Sequence, residues 1–193
     1  KILKSDREVL GEYCFPEEPV HEEKITFRDL SEYENIDFQG FRGDIYVKEA
    51  IIPEGASVIP KSQFFECRSL EKVYLPESVS GIEDYAFADC HVLKVWESME
   101  KLSLKSVGIS AFENCYALEF VSLPDSLTVI GGAAFAECVS VNKLIFSDTS
   151  LLKKIGDHAF RGCRNLKEVY LPDSVEYVGV SAFRDCISLE QIS

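Results

Sequence analysis

The chain has 193 residues, 46% of them hydrophobic and 27% charged, with 33 acids against 20 bases. That length suits one sizeable core or a short repeat array, not two large domains, and the ordinary composition excludes a wholly disordered or collagen-like chain. No run of about 18 apolar residues is present to insert in a membrane, and a net charge of −13 argues against nucleic acid or an anionic lipid surface as partner.

Residues 1–29 are expected to form an N-terminal capping segment. The opening Lys1-Ile2-Leu3 has neither an initiator Met nor a signal peptide's apolar stretch, so the part that would reveal the compartment is missing. Ser5 and Glu8 stand in a capping-box pattern ahead of Val9 and Leu10, which predicts a short helix. Cys14 fits no register. Glu17, Glu18, Glu22 and Glu23 surround His21 and read as a solvated charged loop rather than a cation site. Ile25-Thr26-Phe27 predicts a strand.

Residues 30–193 are expected to form a repeat array. Its first unit is degenerate, with Ile36, Gly40, Phe41, Asp44, Val47, Ala50, Ile52 and Pro53 in slots that later units fill more regularly. Arg42-Gly43-Asp44 has the form of an integrin-type tripeptide. The homologous slot reads Arg161-Gly162-Cys163, so the tripeptide is ordinary repeat filling, with Asp44 expected to point toward the core.

From there the register is carried by Cys67, Cys90, Cys115, Cys138, Cys163 and Cys186, at intervals of 23, 25, 23, 25 and 23. Zinc sites need ligands brought close by short spacings, and no Cys-x-x-Cys pair occurs. A constant long interval means one cysteine per structural unit. Three residues before each cysteine stands Phe64, Phe87, Phe112, Phe135, Phe160 or Phe183, preceded by Ala in every unit but that of Gln63. The column three residues after is Leu70, Leu93, Leu118, Val141, Leu166 and Leu189. The unit then runs on as Val-x-Leu-Pro, as in Val73-Tyr74-Leu75-Pro76, and period-2 alternation ended by Pro predicts a short strand. Apolar residues three apart through Ala-Phe-x-x-Cys-x-x-Leu predict a short helical or 3₁₀ turn. A unit of one strand and one turn cannot bury its own apolar face, so the units must stack. The cysteine slot lies between Phe and Leu and is read as a ladder of buried thiols rather than inter-repeat disulfides. The sequence stops at Ser193 inside a predicted strand without a turn or cap, which implies a longer natural chain.

Six in-register copies of Phe-x-x-Cys-x-x-[Leu/Val] make residues 36–193 resemble the BspA-like leucine-rich repeat proteins. The resemblance implies a curved right-handed solenoid with one short parallel strand and one short helical turn per unit of 23–25 residues. It also implies a bacterial or protozoan protein at the cell surface or secreted, acting in protein binding and adhesion, with no catalytic residues and no cofactor. Pro after the strand, where commoner leucine-rich repeats have Asn or Cys, is the chief departure.

The strand positions flanking the inward Val73, Val121, Leu144 and Val169 should face solvent. They are Lys72 and Tyr74, Phe120 and Ser122, Lys143 and Ile145, then Glu168 and Tyr170. Tyr74, Phe120, Ile145 and Tyr170 are expected to form one line of large side chains, interrupted by Glu97. Two readings of that line stand: the preference of aromatics for strands, or an interface stripe beside a charged rim. His91 and His158 occupy variable slots and are expected to be exposed; no histidine has a partner in register for catalysis. No phosphate loop, nucleophile set or metal cluster points to an enzyme. The expected function is a non-enzymatic recognition scaffold binding a protein, such as a host or matrix protein, or a glycan on the strand face. The alternative is a structural spacer or homotypic assembly module of a longer surface protein. A spacer's face would be uniform and polar, whereas this one varies and carries aromatics.

Overall fold

A computed structural model describes residues 24–26, 41–97 and 103–193. The helix expected after Ser5, together with Cys14, His21, Ile36 and Gly40, lies outside them. The chain forms a solenoid of parallel strands. Three-residue strands recur along one side: β1 (Lys24–Thr26), β2 (Glu49–Ile51), β4 (Lys72–Tyr74), β6 (Val95–Glu97), β8 (Phe120–Ser122) and β10 (Lys143–Ile145). Two-residue β12 (Glu168–Val169) and β14 (Gln191–Ile192) continue that side. Along a second side run the two-residue strands β3 (Val58–Ile59), β5 (Gly81–Ile82), β7 (Ser106–Val107), β9 (Val129–Ile130), β11 (Lys154–Ile155) and β13 (Tyr177–Val178). These six form one continuous sheet, whereas the wide side divides into β1-β2-β4-β6, β8-β10 and β12-β14. Of the strand expected at Ile25-Thr26-Phe27, Ile25 and Thr26 lie in β1, which pairs with β2 through Ile25 opposite Ala50, and Phe27 lies outside the described residues.

The third side of each turn is the Ala-Phe-x-x-Cys arc, and it is not helical. Between residues 85 and 90 the amides alternate in direction. Those of Tyr85, Phe87 and Asp89 donate to the carbonyls of Ile109, Ala111 and Glu113 in the following unit, while those of Ala86, Ala88 and Cys90 donate three residues back. A helix would hold every amide inside one unit and leave this third side of the turns unjoined. The flip needs left-handed backbone two residues before and two after each Phe, and the pattern recurs at Tyr85 and Asp89 (φ 58° and 61°), Ser110 and Asn114 (51° and 61°), and His158 and Gly162 (59° and 75°). Left-handed geometry disfavours a side chain by about 1–2 kcal/mol at non-glycine residues, and each bond gained is worth about 0.5–1.5 kcal/mol net.

Inside, each residue type builds a column. Phe41, Phe64, Phe87, Phe112, Phe135, Phe160 and Phe183 stack face to face with centroids 5.1–5.9 Å apart. All but the last are fully buried. The six in-register cysteines are free and buried, and every one donates its thiol to a Phe carbonyl of the preceding unit, from Cys67 Sγ to Phe41 O at 2.9 Å through Cys163 Sγ to Phe135 O at 3.3 Å. In the first unit Asp44 takes the cysteine slot. It is half-buried rather than in the core, its Oδ1 accepting from the amides of Tyr46 and Val47 at 2.7 and 2.9 Å, and the Arg42 guanidinium lies 4.6 Å from the Phe65 ring centre. Gln63, the residue standing in the Ala column, is buried with both side-chain amide atoms unpaired. At the corner after the narrow strand, a Cβ on Gly131 would sit 2.5 Å from the Gly108 carbonyl carbon, and one on Gly156 would sit 2.5 Å from the Gly132 nitrogen. Successive backbones touch there, so glycine is required by space.

Three outcomes test this packing. Phe135→Ala, in the middle of the stack, is expected to lose about 3–5 kcal/mol in chemical denaturation; a loss below about 1 kcal/mol is incompatible with a buried column. Gly131→Ala should lose about 1–3 kcal/mol through backbone contact, whereas Gly132→Ala, whose Cβ would meet nothing nearer than the Asp157 carbonyl at 3.3 Å, should change stability by under about 1 kcal/mol. Burial pushes the Cys186 thiol up to about 11 and drives those of Cys67, Cys90, Cys115, Cys138 and Cys163 higher still. In alkylation of the folded protein near neutral pH, Cys186 should therefore label before the other five, which react only on unfolding.

Candidate binding face

The outward side chains of the wide strands are positioned by the inward ones. Ala50, Val73, Val121, Leu144 and Val169 are buried, so the strand alternation turns their neighbours to solvent. Lys72, Phe120, Lys143, Ile145, Glu168 and Tyr170 are exposed, and Tyr74 and Ser122 are half-buried. Among them Phe120 is 43%, Ile145 37% and Tyr170 56% accessible, large values for side chains of this character.

Register corrects the expected line. Phe120 stands opposite Lys143 and Ser122 opposite Ile145, while Tyr74 stands opposite Glu97. Tyr74, Ser122, Ile145 and Tyr170 thus share one column, and Phe120 belongs to the other, with Lys72, Lys143 and Glu168. The reason lies in the two-residue strand period: Tyr74 follows its inward valine and Phe120 precedes its own. The large side chains form a staggered patch over both columns rather than a single ridge.

Charges frame the patch. Lys72 Nζ lies 3.8 Å from Glu49 Oε1 on the neighbouring strand. Tyr170 donates its hydroxyl to Glu168 Oε2 at 3.1 Å, and that bond, with the carboxylate's charge, raises the phenol above its ordinary value. A rim column missed by the sequence analysis runs immediately before the wide strands: Lys48, Glu71, Lys94, Glu119, Asn142, Lys167 and Glu190. Its members are joined by backbone bonds such as Lys94 N–H to Glu71 O, and Lys94 Nζ meets Glu71 Oε2 at 3.5 Å. The near-alternating charges at the repeat interval were the signal that could have revealed it.

Elsewhere the surface offers less. A shallow depression of about 380 Å³ lies over the narrow sheet, lined by Val58, Lys61, Gly81, Glu83, Ser106 and Gly108. At the corner after Pro124, Asp125 accepts from the hydroxyls of Ser147 and Thr149, which hold its carboxyl below the usual range. His91 and His158 are half-buried, not exposed. His91 stacks on Tyr116 at 4.7 Å with its Nε2 3.6 Å from Asp89, because the stacking of units covers even the variable slots of the arc. Among the described residues no group of three or more His, Cys, Asp or Glu is placed to hold a metal ion, and no helix is long and apolar enough to cross a membrane.

Comparison with known proteins agrees with this architecture. The family model for the BspA type leucine-rich repeat region, in six copies, matches residues 8–141 and 97–193. A leucine-rich repeat protein from Bacteroides ovatus is 32% identical with a TM-score of 0.70, over 81% of this chain and 39% of its own. The T. pallidum leucine-rich repeat protein is 30% identical with a TM-score of 0.69, over 76% of this chain and 69% of its own. The pneumococcal vaccine antigen PcpA is 27% identical with a TM-score of 0.54, over 76% of this chain and 35% of its own. The chain thus spans about two fifths of the Bacteroides protein. No curated protein matches it. Its columns of Phe, Cys and Leu, its parallel turns and these likenesses place the chain in the BspA-type leucine-rich repeat family.

Proposed function

We propose that the chain is a non-enzymatic recognition scaffold that binds a protein partner on the wide-strand face. The observation that carries this is the contrast between the two sides of the same strands. Inward positions keep one character from unit to unit, whereas outward positions change from Lys72 to Phe120 to Lys143 to Glu168. Phe120, Ile145 and Tyr170 remain accessible there with no fold of their own to pack into. Burying them against a partner is favourable, and aromatics bring large contact area with few torsions to freeze. Lys72, Lys143 and Glu168 form a polar margin that sets which partner is accepted more than how tightly. A spacer would gain nothing from such a face. Family membership supports a scaffold rather than a catalyst, and the likeness to a bacterial vaccine antigen supports display at a cell surface or secretion.

The test is capture from panels of purified host and matrix proteins and of glycans, repeated with Tyr74→Ser, Phe120→Ser and Tyr170→Ser combined. Since these side chains face away from the core, the variant is expected to keep its circular dichroism and thermal transition while losing about tenfold or more in affinity. A partner bound equally by both forms places recognition on another surface.

A further inference from the structure

We propose that the wide-strand face is self-complementary and that its partner is a second copy of this chain, packed face to face with the order of the units reversed. The proposal rests on the reading of this face as a binding surface and names its occupant. It follows from the order of charges along the rim. From Lys48 to Glu119 the sign alternates from unit to unit; Asn142 then interrupts, and Lys167 and Glu190 resume one step out of phase. Unbroken alternation over seven units would carry the same sign at both ends, so a reversed copy would meet like with like. The break at Asn142 removes that conflict. With the two-fold axis along β8, Lys48 faces Glu190, Glu71 faces Lys167 and Lys94 faces the neutral Asn142.

The face columns follow the same symmetry at the second, fourth and sixth units, while Val95 and Glu97 stand opposite Lys143 and Ile145, and Glu49 and Ile51 opposite Gln191 and Ser193, without charge pairing. Lys72 stands opposite Glu168, Tyr74 opposite Tyr170, and the exposed Phe120 meets its own copy on the axis. Glu119 also meets itself, the one like-charge encounter, at the rim where water screens it. Existing pairs within the chain, Lys72 with Glu49 at 3.8 Å and Lys94 with Glu71 at 3.5 Å, involve side chains that are partly exposed. Charge balance points the same way. Rim and outward positions from Lys48 to Tyr170, with Glu190, carry five lysines and six glutamates in a chain of net charge −13. A side so nearly balanced in charge adds little to the repulsion between two such chains. Seven strands about 4.8 Å apart give a face roughly 30 Å long, which is the scale of a weak, concentration-dependent dimer.

Sedimentation velocity over roughly 5–200 µM, the range in which small interfaces associate, should show a monomer–dimer equilibrium. Lys72→Glu should weaken it about tenfold or more, and adding Glu168→Lys should restore it, because both symmetry-related pairs re-form with reversed sign. In a Cys14→Ser background, a short bismaleimide should cross-link Phe120→Cys to its own copy. Tyr74→Cys should be cross-linked only when mixed with Tyr170→Cys, since sheets packed face to face lie about 10 Å apart. Circular dichroism on each variant separates lost contact from lost fold. A chain monomeric throughout, or a dimer indifferent to Lys72→Glu, overturns the inference. If the monomeric chain captures a different protein and loses it on the Tyr74, Phe120 and Tyr170 changes, this inference falls while the recognition reading stands.

Discussion

Every second amide of the arc leaves its own turn to find an acceptor in the next. Buried backbone groups must be paired, and in a unit of 23 residues with two short strands they cannot all be paired at home. The rest of the structure follows from that requirement. Left-handed residues are needed to aim the amides outward, and Asp89, Asn114, Gly162 and Asp185 suit that backbone, while Glu66, Glu137 and Tyr85 adopt it as well because the bonds to the next turn demand it. A small residue before Phe lets adjacent turns approach until the rings stack at a little over 5 Å. The thiol then becomes a useful hydrophobe, because its proton finds a second use for a Phe carbonyl that already accepts from the cysteine amide of its own turn.

The same arrangement decides where variation is free. Inward columns are bound to their neighbours on both sides, so a change in one unit disturbs two others, as in other repeat arrays. Outward positions of the wide strands touch only their flanking strands. They share a rigid backbone without sharing its packing constraints, which makes them the natural place for a surface that differs along its length. Phe120, Ile145 and Tyr170 there answer to no demand of the core, whereas the same residues facing inward would be fixed by packing.

Most of the fold was legible because stacking repeats one physical environment in every unit. Phe, Cys and Leu columns and the inward places of Phe41, Val47, Ala50 and Ile52 could all be read from spacing alone. The helical turn could not. Apolar residues three apart are shared by a helix and by an arc of left-handed bends, and the choice between them depends on acceptors in another unit, invisible to local periodicity. The columns of the outward face were read half correctly for a related reason. Seven of the eight residues lie on the wide strands and Tyr170 directly follows β12, but a side chain's column depends on whether it precedes or follows its inward neighbour, and Phe120 was aligned by size instead of position. His91 and His158 were judged by variability, which does not measure how much a neighbouring turn covers.

The glycine corner gives the array a direction. Pro60 and Glu83 open the series with side chains, and from Gly108 onward the slot holds glycine because backbone meets backbone there, at 2.6 Å from Gly108 to Glu83 and 2.4 Å from Gly179 to Asp157 for a Cβ that is not there. Early units can therefore be followed by late ones, but the reverse splice would drive a Cβ into a neighbouring peptide. Units that look interchangeable by their Phe and Cys signatures obey a grammar of order, and recombination within the array is restricted to exchanges that keep glycine downstream.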